Sequence, residues 1–353
     1  GDVFALVYDA RSRAVRALNS SGPAPASADP GAYRSAGGIP HAGARSVTVP
    51  GCVAGWWELH RRFGQLDWKQ LLLPAIALAS EGFPASRGLA RAVPVGRERV
   101  RPRDVFEATW GHVSGDGGQR VHQPDLADTL AAIAAEGQWA FYDGVIRDLC
   151  LEALQAGGAV FSAGDWRPPA RWEPPLATVF AGHHVYTQPP PSRGIVLLRA
   201  LQLLSRRLTP GSLAPAPVEG LAAIRSAFAE AGAAAGDPDT TGFDARAFLA
   251  SPPAPRGVPA GGDGDTTYLL AIDADGNAVS LIQSIFAPWG SGLLVPATGI
   301  LMNNRMNGFT LEPGHPTARA PAKRPMHTLH SYVATTEDGS LAVVGGTPGA
   351  HRQ

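Results

Sequence analysis

Cysteine is nearly absent: the 353 residues hold only Cys52 and Cys150. That pair allows one disulfide or none. With no His or second Cys at ligand spacing beside either, each reads as a buried thiol. Long apolar runs are also missing, which excludes a membrane-spanning helix from this stretch of chain. Charge is scarce at 17% of residues and balanced at 30 basic against 30 acidic, so no electrostatic basis exists for a nucleic-acid or anionic-membrane partner. No internal repeat is present. What the chain does have is glycine, 42 residues, and proline, 32, within a composition that is 44% apolar. Such a mixture predicts a compact, loop-rich protein rather than a disordered one, long enough for one large domain or two ordinary ones. The first residues, "GDVFALVYDA", are already strand-like and the last follow a Gly-rich turn. Both ends therefore read as cut, and a missing signal peptide carries no meaning.

Hydrophobic alternation marks the strands. Residues 4–9 predict one strand, "DARSR" a turn, and residues 14–18 its partner. "SSGPAPASADPGAY" is too rich in Pro, Ser and Gly for regular structure. Val53, Trp56, Trp57 and Leu59 then make a helical face with Gly64 as a stop, and "LDWKQLLLPAIALASEGFPAS" predicts a helix pair interrupted at Pro74. Further amphipathic helices are expected at residues 125–136 and 145–155. "HHVYTQPPPSRGIVLLRALQLLSRR" predicts a strand, a rigid proline turn and an apolar helix, and "LAAIRSAFAEAGAAAG" another helix. Residues 251–265, "SPPAPRGVPAGGDGD", resist both regular structures and predict an exposed, mobile segment. From residue 266 the chain turns to β-structure, with strands at 266–272, 278–285, 332–336 and 341–344.

Where the mobile segment meets the first of these strands, "GGDGDTTYLLAIDADGN" sets two threonines. "DADGN" fits a three-residue hairpin loop with Gly276 in the left-handed conformation. That loop pairs Asp273 with Asn277, and counting back along the ladder brings Thr266 opposite Ser284, hydroxyl facing hydroxyl. A threonine hydroxyl needs a base before it can attack a carbonyl, and no His-Asp pair stands near Thr266. Cleavage between Asp265 and Thr266 would supply one, because the freed α-amine has a reference pKa of roughly 7.7 to 8. Attack of the Thr266 hydroxyl on the Asp265 carbonyl would make that cut autocatalytic. On this stretch alone an ordinary strand start is the stronger reading, since β-branched Thr favours strands in any case.

Seven motifs taken together carry a resemblance: "FALVYDA", "VPGCVAGWWELHRRFGQLDWKQLLLPAIALASEGFP", "VYTQPPPSRG", "GDPD", "DTTYLLAIDADGNAVSLIQS", "GSGLLVPATGILMNNRM" and "KRPMHTL". In order and approximate spacing the chain resembles the γ-glutamyltranspeptidase family of N-terminal nucleophile hydrolases, nearly end to end. The resemblance implies an α+β fold, a four-layer αββα sandwich, here incomplete at both ends. It further implies one precursor cut before Thr266 into a segment 1–265 and a segment 266–353 that stay associated as a heterodimer within one domain. Thr266 is then the nucleophile that forms an acyl-enzyme with an amide, and Ser284 matches a hydroxyl that supports it. The turn "GGTPGA" matches the oxyanion hole and assigns backbone donors to Gly349 and Ala350, each such donor contributing about 3 to 4 kcal/mol.

The departures from the family pattern fall where a glutamyl head would be clamped. The carboxylate-binding Arg falls on Pro30, an Asn two residues beyond the supporting hydroxyl on Phe286, and the amine-binding acid on Gly308. Arg305 stands where an uncharged amide is usual, and the paired serines of the oxyanion loop become His327 and Thr328. Loss of charged partners discriminates strongly against a charged head. Substrate-binding candidates are accordingly Phe286, Asn304, Arg305, His327 and Thr328, with Phe286 and Trp289 making a more apolar acyl pocket. Plainer roles are core filling for Phe286, an ion pair for Arg305 and a turn held by Asn303 and Asn304. His327 and His330 lack a third ligand for a metal, and "GGDGD" lacks the strand-and-helix context of a phosphate loop. The expectation is a self-processed threonine amidohydrolase or acyltransferase that needs no cofactor, passes its acyl group to water more readily than to an amine, and has altered acyl specificity. A true γ-glutamyltransferase or glutathione hydrolase, and a non-catalytic protein keeping the fold, are the alternatives. The resemblance also implies a periplasmic or secreted protein and a small-molecule amide as its partner.

Overall fold

The computed structural model describes residues 1–27, 29–206, 217–252 and 265–346. The Pro- and Gly-rich stretch expected to be mobile lies almost wholly outside the described residues, as do Gly349 and Ala350.

Two antiparallel sheets form the centre. The first contains β1 (Asp2–Asp9), β2 (Ala14–Ser20), β3 (Arg171–Glu173), β6 (Asp265–Ile272) and β7 (Ala278–Phe286) in the order β3-β2-β1-β7-β6. The second contains β4 (Leu176–Phe180), β5 (His183–Thr187), β8 (Ser331–Thr335) and β9 (Leu341–Gly346) in the order β9-β8-β5-β4. Strand alternation decides how they pack. Phe4, Leu6 and Tyr8 of β1 point at the second sheet, where Phe4 and Ile282 meet Leu329, and Leu6, Tyr8 and Ala278 meet Val333. Val3 and Ala5 point the other way, with Leu18 and Leu281, onto Cys52 and Leu59 of helix α1 (Cys52–Phe63). Burying each large side chain here contributes about 1.5 to 3 kcal/mol.

Outside the second sheet lie helices α7 (Gly194–Ser205), α8 (Pro217–Ala234) and α9 (Ala245–Ala250), whose Ile195, Leu198, Ala227 and Ala231 pack against Val185 and Ala334. On the side of the first sheet, α2 (Trp68–Glu81), α3 (Arg87–Arg99), α4 (Arg103–Trp110), α5 (Pro124–Glu136) and α6 (Val145–Ala156) extend the helical layer begun by α1. Helices therefore flank two facing sheets, and the four-layer αββα arrangement is present.

One expected break is missing. The helix pair divided at Pro74 is a single helix, α2, with Pro74 inside it. Proline there removes one main-chain hydrogen bond, at a cost of about 3 kcal/mol. Asp67 offsets part of that by accepting from the amides of Lys69 and Gln70, and packing along α5 holds both halves on one axis. Cys52 and Cys150 are free thiols, and burial pushes the first up to about 11 and the second to about 12. Among the described residues no helix is long and apolar enough to cross a membrane.

Candidate active site

The hairpin that carries Thr266 starts from a well-fixed turn. Asp273 N–H donates to Asn277 O at 3.0 Å, Gly276 has φ +85°, and the Asp273 carboxylate accepts from Asp275 N, Asn277 N and Asn277 Nδ2. This sets the ladder from Ile272↔Ala278 back to Thr267↔Gln283, the register counted from the turn. One step further the simple pairing gives way. Asp265 pairs with Phe286, so Thr266 stands against both Ser284 and Ile285 at a β-bulge, not against Ser284 alone. The extra residue is accommodated because Phe286 adopts φ +85° and its N–H turns back to Ser284 Oγ at 2.8 Å. A left-handed aromatic residue at a strand end stores about 1 to 3 kcal/mol of strain, which in folded proteins concentrates at functional sites.

Alternation puts Thr266 on the same face as Tyr268, whose hydroxyl meets Ser280 Oγ at 2.9 Å. Ser280 Oγ in turn donates to Gly345 O at 3.0 Å in the second sheet, so this face looks into the space between the sheets. Strand β9 ends beside it: a Cβ on Gly346 would lie 2.3 Å from the Tyr268 ring. Thr266 is half-buried and Ser284 buried.

Directly across β1 the register pairs Asp2 with Ser284. Asp2 is fully buried, and it anchors a charged cluster. Arg305 Nε lies 3.4 Å from Asp2 Oδ2, His327 Nε2 lies 3.9 Å from the same oxygen, and Gly22 N donates to Asp2 Oδ1 at 3.2 Å. Ser21 Oγ meets His327 Nε2 at 2.5 Å, Phe4 packs edge-on to the His327 ring at 4.9 Å, and Arg305 Cζ lies 4.7 Å from the Phe286 ring centre. Burial raises the Asp2 carboxyl above its ordinary value against the pull of Arg305. Burial lowers Arg305 to about 10, so the guanidinium still carries its charge at neutral pH. His327 is held well below the usual imidazole range, first by burial and then by the positive charges of Arg305, Arg324 and Arg193. It is a neutral ring at neutral pH.

The other candidates are placed as follows. Asn304 spends its amide on main chain: Oδ1 accepts from Ala287 N at 3.1 Å and Nδ2 donates to His41 O at 3.0 Å, which ties the strained turn after β7 to a distant loop. Thr328 is buried next to His327, whose N–H donates to Pro191 O at 2.8 Å. Asp265 heads β6. Trp289, expected in the acyl pocket, is turned away into the helices: its indole donates to Ala92 O at 2.9 Å and packs on Phe106 and Trp110. Pro30 opens a short helical turn outside the cluster, while Ser21 lies within it. At Gly308 a Cβ would come within 2.6 Å of Met326 O, so no acid fits there.

Sequence reasoning missed Asp2, Ser21 and Phe4. A signal for Asp2 existed: in "DVFALVYD" residues 2, 4, 6 and 8 share one buried face, and Asp2 is charged where the next two are apolar. Among the described residues no group of three or more His, Cys, Asp or Glu gathers to hold a metal.

Two facing sheets between helices, with a hydroxyl residue second in a strand at one open end of the gap, define an N-terminal nucleophile hydrolase fold. The chain belongs to the γ-glutamyltranspeptidase family, whose model matches residues 1–353. It is 31% identical to the glutathione hydrolase-like YwrD proenzyme of Bacillus subtilis, over 100% of this chain and 70% of that protein. It is 32% identical to the oxamate amidohydrolase proenzyme of Klebsiella pneumoniae, over 99% of this chain and 70% of that protein. Among solved structures, the cephalosporin acylase from Bacillus halodurans superposes with a TM-score of 0.84 at 28% identity, covering 97% of this chain and 67% of that one. The chain thus spans roughly two thirds of the length of these proteins.

Proposed function

We propose that this protein is an amidohydrolase made as a precursor and cut between Asp265 and Thr266, with Thr266 as the nucleophile. The α-amine of Thr266 takes the proton from its own hydroxyl as Oγ bonds to the substrate's carbonyl carbon. The same proton leaves with the departing amine when the C–N bond breaks. Water then attacks the ester and releases the acid. Ser284 steadies Thr266, Gly349 and Ala350 supply the oxyanion donors, and the segments 1–265 and 266–353 remain together as a heterodimer.

One observation carries this reading: strand register brings Thr266 to the end of β6 beside Ser284, whose partner on the next strand is the buried Asp2 that contacts Arg305 and His327. The composition of that cluster supports an acyl half other than a glutamyl zwitterion, since Gly308 leaves no room for an acid and Arg305 would repel an ammonium group. Two relatives bear the names of amide hydrolases for other substrates, oxamate in one case and a cephalosporin in the other. Acid quenching during turnover of an amide, followed by peptide mass mapping, tests the proposal. An acyl adduct on the peptide beginning at Thr266 is expected; an adduct elsewhere, or turnover that survives Thr266→Ala, would overturn it.

A further inference from the structure

Strand β9 ends on two successive glycines, and a tyrosine ring lies against each. A Cβ on Gly345 would come within 2.3 Å of Tyr332, and one on Gly346 within 2.3 Å of the Tyr268 ring. Successive strand residues face opposite ways, so the two rings grip the strand end from opposite sides. Tyr332 does so from the helical layer and Tyr268 from the gap between the sheets. Gly346 does not adopt a left-handed conformation, so it is the Tyr268 ring, and not the backbone, that demands glycine there.

A chain of hydrogen bonds fixes the same point. Ser280 Oγ has a single proton and donates it to Gly345 O at 3.0 Å, so the Tyr268 hydroxyl, 2.9 Å away, must be the donor to Ser280 Oγ. Ser280 is wholly buried and itself anchored. Its carbonyl accepts from Ser331 Oγ at 3.1 Å, and that oxygen accepts from Gln188 Nε2 at 2.6 Å, which joins β7 to β8 and to the residue after β5. Tyr268 therefore holds the end of β9 by its ring and by its hydroxyl at once. Along β6 it stands two residues from Thr266, about 6.8 Å away and on the same face.

We propose that Tyr268 is a positioning residue for amide hydrolysis: it sets the exit of β9, three residues before the proposed donor Gly349, relative to the Thr266 hydroxyl. This rests on the reading of Thr266 as nucleophile and of Gly349 and Ala350 as oxyanion donors. Such a residue acts on kcat through geometry, and misplacing a reacting group by about 1 Å can cost about 100-fold. The experiment compares wild type with Tyr268→Phe, Tyr268→Ala, Gly346→Ala and Tyr268→Ala/Gly346→Ala. It reads kcat and KM on the first acyl p-nitroanilide that processed wild type turns over, and hydrogen exchange of the peptide spanning residues 341–350.

Tyr268→Ala should lower kcat about 100-fold with KM changed by less than about twofold, and should speed exchange of that peptide about tenfold. Tyr268→Phe keeps the ring and should retain most of kcat. Gly346→Ala, whose methyl collides with the ring, should lose about tenfold, and the double variant should be no slower than Tyr268→Ala alone, because the collision is gone. Losses that multiply in the double variant, a fall in kcat/KM that comes wholly from KM, or exchange that ignores Tyr268 would each overturn the proposal. A wild-type chain that stays uncut would remove the Thr266 reading and this role together. Normal cutting and turnover that Tyr268→Ala leaves untouched would remove this role alone.

Discussion

Arg199 and Arg305 are both stripped of surface, at 1% and 0% exposed, and the protein treats them in opposite ways. Arg199 lies among α7, α8 and α9 with its charge balanced and both Nη groups hydrogen-bonded, Nε alone making only an ion contact. Glu230 sits 3.2 Å from Nε, Nη1 donates to Gln202 Oε1 at 3.1 Å and Ser251 O at 2.9 Å, Nη2 donates to Phe248 O and Ser251 Oγ, and the Phe248 ring lies 4.3 Å from Cζ. Arg305 has a similar aromatic cover and a carboxylate at similar range, but its fork meets no acceptor among the described residues. The same residue type is held by main-chain and side-chain acceptors in one layer and by little more than a counter-charge in the other. A buried cation alone says nothing about function; the accounting of its donors does.

The largest effect should come from chemistry set beside that pair. Thr266→Ala is expected to leave the chain uncut and to lower amide turnover by at least about 1,000-fold, read by gel mobility and product release. Thermal unfolding should barely move, because Thr266 is half-buried. The arginines themselves come next. Arg199→Met leaves Glu230 buried without its partner and should cost about 3 to 5 kcal/mol in denaturant unfolding while leaving substrate preference intact. Arg305→Gln leaves the fully buried Asp2 without its counter-charge and should cost about as much, while Asp2→Asn/Arg305→Gln should recover most of that loss. A loss in that double variant as large as in Arg305→Gln alone would erase the contrast.

His327 sharpens the electrostatic side. Its folded pKa is depressed, so the stability it contributes is present above the ordinary imidazole value of about 6.5 and is lost as pH falls below it, where the unfolded chain binds the extra proton. The slope should reach about 1.4 kcal/mol per pH unit, and His327→Gln should flatten it in unfolding titrations between pH 7.5 and 5. The smallest effect belongs to the far end of the hairpin. Gly276→Ala, at φ +85°, should cost about 1 kcal/mol in unfolding without altering amide turnover.

Local rules read well wherever one interaction dominated. The loop "DADGN" fixed its own geometry, and from it the ladder could be counted as far as Thr267. The count failed one residue later because the bulge depends on Phe286 turning over Arg305, a contact between positions far apart in the chain. Pro74 was overruled by the packing of α2 on α5, which no local rule weighs. Trp289, an aromatic residue expected in the acyl pocket, instead fills a slot that Gly96 opens for its indole: a Cβ there would lie 2.6 Å from the ring. The layered fold followed from resemblance rather than periodicity. Asp2 showed only as a charge on an otherwise apolar strand face, and Ser21 not at all, because each acquires meaning only when β1, β2 and the segment at His327 converge.

The central claim is that Thr266 becomes a free N-terminus. Intact mass and N-terminal sequencing of the purified full-length protein, after incubation near neutral pH, address it directly. A fragment beginning Thr266-Thr267-Tyr268 is the predicted result. A single uncut chain that nevertheless hydrolyses amides, or a fragment beginning at any other residue, would contradict it.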